Sequence, residues 1–152
     1  NDNGSGLPPY ETLVAASVVE REVTQPDDYS KVARVILNRL DTTGAPVYGL
    51  LQMDSTIHYL TQKRGTITTS DKDRNSDSPY NTYKHTGLPP GPINNPGAEA
   101  IKAAGDPDEG DWLFFVTVNP DTGETKFAET QREHDNNVKE FQQWCSDNQD
   151  RC

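Results

Sequence analysis

Two carboxylates, Glu20 and Glu22, stand two residues apart in the run Glu11 to Val23, which is strongly apolar and holds neither Gly nor Pro. Leu13, Val14, Ala15, Ala16, Val18 and Val19 cover most of the circumference of the helix this run predicts. A carboxylate in such a setting is costly unless it is paired or does chemistry. Two residues on a helix are about 200° apart, so the pair cannot face one cavity and only one can be the catalyst. Glu22 falls on the side of Ala15, Val18 and Val19, where desolvation raises a carboxyl pKa and keeps the group protonated as a general acid near neutral pH. Glu20 lies beside Leu13, Ala16 and Ser17, placed to meet an arginine or a backbone amide. Glu22 is the preferred acid and Glu20 the second candidate; the competing reading is a solvated or salt-bridged pair with no catalytic role.

Asp54 is a candidate second carboxylate of the kind that hydrolysis of a glycoside requires, and it fits a helix cap equally well. Gln52 beside it is a candidate substrate contact. His134 and Asn137 are one helical turn apart and are candidates to face the same cleft, with a capping or core role as the alternative for His134. The three histidines, His58, His85 and His134, form no i, i+4 pair, and no Gly-x-Ser-x-Gly elbow occurs, so neither a metal, a cofactor nor a serine mechanism is expected. Cys145 and Cys152 are spaced to close a small disulfide loop in an oxidising compartment.

The segment Ser78 to Ile93 combines Tyr80, Asn81, Tyr83 and His85 with four prolines. Proline fixes φ and withholds an N–H, so Leu88-Pro89-Pro90-Gly91 is expected as a stiff extended loop ending in a glycine turn. Such a wall loses little entropy when a ligand docks. Tyr faces and amide groups suit a sugar polymer; the alternative is a structural turn capping a sheet.

These residues also carry a resemblance. Tyr80-Asn81-Thr82-Tyr83, Gly87-Leu88-Pro89-Pro90-Gly91-Pro92-Ile93 and Asn95-Pro96-Gly97 resemble the hallmark segment of the YceG-like (MltG) endolytic murein transglycosylases. Ala16 to Glu22, Val35 to Leu40, Leu51 to Ile57, Leu113 to Val116, Thr125 to Phe127 and His134 to Asn137 match in the same order, so the similarity spans about Leu7 to Phe141. The resemblance implies cleavage between N-acetylmuramic acid and N-acetylglucosamine without water, the muramic 6-hydroxyl attacking its own anomeric carbon. One Glu then suffices as acid and base. In lytic transglycosylases a small hydroxylated residue commonly follows that Glu; Val23 departs from this. Asn38, Gln52, Asp54, Tyr80, Asn81, Tyr83 and the wall Leu88 to Gly91 are the implied substrate contacts, peptidoglycan strands the partner, and cell-wall synthesis enzymes candidate protein partners. Members of the family are usually tethered to the cytoplasmic membrane by an N-terminal helix with the catalytic domain outside, so an extracytoplasmic location is expected, with the anchor absent from this chain. The rival readings are a non-catalytic glycan-binding module and a hydrolase using Glu22 and Asp54.

The positioning elements follow from the punctuation. At 152 residues one domain is expected, with residues 1–9 as linker, 10–144 as the catalytic domain and 145–152 as a tail. After Gln25-Pro26-Asp27-Asp28, with an Asp placed as cap, a second helix is predicted from Tyr29 to Leu40. A third is capped by Asp54 or Ser55, and a fourth runs from Gly97 to Ala104 behind Asn95-Pro96. Trp112 to Val118 and Glu124 to Phe127 predict a hairpin, and Thr130-x-x-Glu133 is a capping box opening the last helix. The polar stretch Thr61 to Asp77 is expected as loop. The class is α+β, predominantly helical with a small antiparallel sheet. Mean hydropathy is −0.86. With 24 acidic against 14 basic residues the net charge is −10, and no basic stripe offsets it, so nucleic acid is excluded as a partner.

Overall fold

The computed structural model describes residues 5–61 and 70–152. Part of the Thr61 to Asp77 stretch and the start of the linker therefore lie outside the described residues. The architecture is a single small α+β domain: helices α1 (Pro9–Glu22), α2 (Tyr29–Asp41), α3 (Asp54–Thr61), α4 (Asp71–Arg74), α5 (Ala98–Gly105) and α6 (Gln131–Asp147), with strands β1 (Phe114–Asn119) and β2 (Glu124–Ala128). No helix among the described residues is long and apolar enough to cross a membrane.

α1 is the centre. Its apolar residues face all ways because α2, α3 and α5 each pack on it. Val18, Val19 and Val23 join Val32, Ile36, Leu51, Met53 and Ile93 in the main core. Ala15 and Ala16 meet Ala100 and Ala104, small residues that let α1 and α5 approach closely. The strands pair antiparallel from Phe114 opposite Ala128 to Asn119 opposite Glu124, with an irregularity after Thr117, and α6 lies against them. The hairpin tip reaches back to the end of α1: Gln25 Nε2 donates to the Thr122 carbonyl at 2.7 Å. Gly123, at φ 80°, is required there, since a Cβ would sit 2.6 Å from Thr24 Oγ1.

Several expected caps differ. Asp28 occupies the N-cap of α2 but its side chain caps nothing, because a 3-10 turn at Pro26–Asp28 leads directly into the helix. α5 begins at Ala98 with Gly97, not Asn95, as N-cap. Inside the stretch expected as loop, Ser70 caps the short helix α4 by accepting the Asp73 N–H. Thr130 does cap α6, its hydroxyl accepting the Glu133 N–H at 3.2 Å. That helix continues through Cys145 into the segment expected as tail, and Cys145 and Cys152 are joined in a disulfide. The glycine turn of the proline segment is at Gly87, φ 84°, rather than at Gly91.

Candidate active site

The two carboxylates of α1 leave in different directions, as their spacing demands, and each ends on the N-terminus of another helix. Glu20 Oε1 accepts the Gly97 N–H at 2.9 Å and Oε2 accepts Asn94 Nδ2 at 3.3 Å, so Glu20 caps α5. The backbone-amide alternative is the one the fold adopts. Glu22 Oε2 accepts the Ser55 N–H at 2.9 Å and so caps α3, a task the sequence suggested for Asp54 or Ser55. No other hydrogen bond to Glu22 is made by the described residues, which leaves Oε1 open.

Glu22 keeps some solvent access, yet its carboxylate is densely surrounded by protein. The packing governs the acidity, because it is the carboxylate that loses hydration. Burial pushes its pKa up to about 7 from the ordinary 4.5. The Ser55 hydroxyl and N–H and the Arg39 charge oppose the rise, and the Asp54 charge adds to it. The hydroxyl acts through proximity alone: Ser55 Oγ is buried and makes no hydrogen bond of ordinary geometry.

Asp54 is held by the Tyr83 hydroxyl at 2.5 Å and by Arg74 at 3.3 Å. Burial, then the Asp54 charge, drive the Tyr83 phenol far above its usual range, so it stays a proton donor to Asp54. The Arg74 guanidinium also lies 4.6 Å from the centre of the Tyr83 ring. Asn81, fully buried, spends Nδ2 on the carbonyls of Arg74 and Ser76 and accepts the Tyr83 N–H at 2.9 Å. It is a frame for Tyr83 and Arg74. Thr82 fastens the start of α3: its carbonyl accepts the Gln52 N–H, and its Oγ1 accepts the Met53 N–H at 2.9 Å and bonds Thr56 Oγ1. Gln52 is exposed beside this junction. Glu22, Gln52, Asp54, Asn81 and Tyr83 are thus brought together by α1, α3 and the turn after α4.

The remaining candidates lie elsewhere. Asn38 Nδ2 donates to the carbonyls of Gly110 and Trp112 at 3.0 and 2.8 Å, tying α2 to the approach to β1. His134 stacks on Phe114 with centroids 5.0 Å apart, and burial lowers its pKa. Asn137 lines a shallow groove with Lys31, Trp112 and Phe127. Leu88, Pro89 and Pro90 line a groove of about 410 Å³ with Tyr10 and Val14, at the opposite end of α1 from Glu22. The 12 residues separating Tyr10 from Glu22 span about 18 Å of helix. Pro89 and Gly91 are buried and only Pro90 is exposed, so most of the wall serves packing. Tyr80 links the two ends: its ring lies 5.0 Å from that of Tyr59 on α3, and its hydroxyl sits with that of Tyr10 over Gly91, where a Cβ would be 3.0 and 3.1 Å from the two oxygens.

Sequence reasoning missed Arg39. It is 6 % exposed, donates to the carbonyls of Leu113 and Leu51, and lies 5.8 Å from the Phe114 ring centre. Burial lowers its pKa to about 10, and Glu22 pulls the other way. The signal was available: Val32, Val35, Ile36 and Arg39 follow one apolar stripe, and an arginine on it must find buried partners. Ser55 and Arg74 carried no such signal.

The chain is similar to known proteins over most of its length. The chain is 41 % identical over 131 residues to an endolytic murein transglycosylase of Bacillus subtilis, and 37 % over 134 residues to one of Streptococcus pneumoniae. Each alignment covers 86 % of this chain but only 34 % and 23 % of those relatives, so the chain spans about a third of their length or less. A crystal structure of a yceG-like protein from Listeria monocytogenes superposes with a TM-score of 0.75 at 38 % identity, covering 84 % of this chain and 39 % of that one. With residues 1–140 matching the model of the YceG-like family, the chain belongs to that family.

Proposed function

We propose that this chain is the catalytic region of an endolytic peptidoglycan lytic transglycosylase, with Glu22 as acid and then base. The observation that carries it is a carboxylate on the fold's central helix with one oxygen fixed by the Ser55 N–H, the other open, and a pKa of about 7. At that value both protonation states are accessible near neutrality. Glu22 gives its proton to the glycosidic oxygen as the bond from the muramic anomeric carbon breaks. The 6-hydroxyl of the same ring forms the new bond to that carbon and returns its proton to Glu22. No water enters, and proximity replaces an activated nucleophile. The family relatives named as endolytic murein transglycosylases support the substrate class.

Asp54 is unsuited to act as a hydrolytic base, because the Tyr83 hydroxyl and Arg74 already hold it. Its role is to orient Tyr83 at the edge of the site, with Asn81 behind both and Gln52 and Tyr80 as sugar contacts. The proposed setting is the extracytoplasmic face of the cell membrane, with cell-wall synthesis enzymes as neighbours. Mass spectrometry of products from purified glycan strands tests the reading. The expected products end in 1,6-anhydro-N-acetylmuramic acid, one water lighter than reducing ends. Mainly reducing ends would replace it with hydrolysis, and retained but unshortened strands with a binding module.

A further inference from the structure

Among the described residues, two that are not glycine have a left-handed backbone: Tyr48 at φ 56° and Gln52 at φ 52°. For an L-residue this conformation is disfavoured, and for a bulky side chain such as Tyr it is a genuine outlier. Both side chains lie at the surface. Tyr48 is 59 % exposed and Gln52 is exposed, while their neighbours Val47, Leu51 and Met53 are buried.

The backbone that imposes these angles is clamped on both sides. Tyr48 N–H donates to the Gly44 carbonyl and Gly49 N–H to that of Thr42. The Gln52 N–H donates to the Thr82 carbonyl and the Gly87 N–H to that of Gly49, so residues 49–52 run antiparallel beside 82–87. That ribbon sets Gln52 at the end shared with Tyr83 and Asp54, three residues before the N–H that holds Glu22. It sets Tyr48 at the end next to Gly87 and Leu88. Glycine would satisfy the same turns without strain, as Gly49 does at φ 74°. Strain retained at two exposed side chains, one beside the start of α3 and the other at the Leu88 end of the same ribbon, points to ligand contact along that ribbon.

We propose that Tyr48 extends the glycan site along this ribbon, away from the sugar that Gln52 contacts beside Glu22, its ring lying against the apolar face of a further sugar ring of the same strand. This rests on the reading of the site as one that cuts glycan. The test uses Tyr48→Gly and Gln52→Gly, each made in Glu22→Gln protein so that strands are held uncut. Affinity for peptide-free glycan strands is measured by calorimetry, and the thermal midpoint is measured beside it. Each glycine variant is expected to bind about tenfold more weakly, with its midpoint unchanged or raised. Tyr48→Phe, which keeps the ring, is expected to bind as the parent does. Unchanged affinity in Tyr48→Gly, or a midpoint that falls in step with affinity, overturns the inference while cleavage by the unmodified chain still stands. A parent that neither binds nor cuts strands overturns the functional reading and this inference together.

Discussion

Glu20 and Glu22 share a helix, a residue type and a task, since each accepts an N–H at the start of another helix; what separates them is how completely each is satisfied. Glu20 has both oxygens engaged, by Gly97 and by Asn94, at the protein surface. Glu22 has one oxygen engaged, sits in a packed environment with Arg39 and Asp54 in electrostatic reach, and holds a pKa of about 7. A saturated carboxylate is a fastener. One with a spare lone pair and a costly charge can exchange a proton.

The largest test of this contrast is catalytic. Glu22→Gln is expected to cut strand cleavage by about a thousandfold with the fold intact, as measured by product release and circular dichroism. Glu20→Gln is expected to keep most of the turnover. Full activity in Glu22→Gln would end the distinction.

The next concerns stability. Glu22 binds its proton more tightly folded than unfolded, so its contribution is greatest below about pH 4.5, declines as pH rises through about 7, and then levels off. Glu22→Gln removes that decline. It should make the protein more stable than the parent at pH 8, by up to about 3 kcal/mol, and nearly equal to it at pH 4. Urea unfolding at the two pH values reads the difference, and a variant less stable than the parent at pH 8 would contradict it.

Asp54→Asn sharpens the comparison further. Removing the neighbouring negative charge lowers the Glu22 pKa, so the alkaline limb of the pH–rate profile should move to lower pH. Weakening of the Tyr83 and Arg74 contacts, which become uncharged on the acceptor side, should also slow turnover, by about tenfold. An unmoved limb would remove Asp54 from the electrostatics of Glu22. The smallest effect is expected from Glu20→Ala, which uncaps α5 and should cost about 1 kcal/mol at neutral pH without altering the pH–rate profile.

Much of this frame was legible in the sequence because it is written locally. Proline, glycine and apolar spacing mark α1, α2, the hairpin and α6, and the opposite facing of Glu20 and Glu22 follows from helical geometry alone. The divergence came where a hydrogen bond closes over a long stretch of chain. Asn95-Pro96 and Asp54 look like caps because good caps are usually nearby, yet α5 and α3 are capped by side chains 77 and 33 residues away. Asn38 reads as a polar contact until the Gly110 and Trp112 carbonyls fold onto it. The stiff Leu88 to Gly91 segment was legible as a wall, but which end of α1 it lines depends on tertiary packing that no local pattern encodes.

The hairpin tip has a consequence for length variation. A hairpin whose turn projects into solvent accepts paired insertions freely, each added pair moving the turn out by about 3.3 Å. Here Thr122 and Gly123 rest on Gln25 and Thr24, three and two residues beyond Glu22. One extra pair would carry the turn past its seat and leave the end of α1 unbraced. The number of residues in the two strands is therefore gauged by the distance from α6 to the end of α1, and length changes in this chain should fall in other connections.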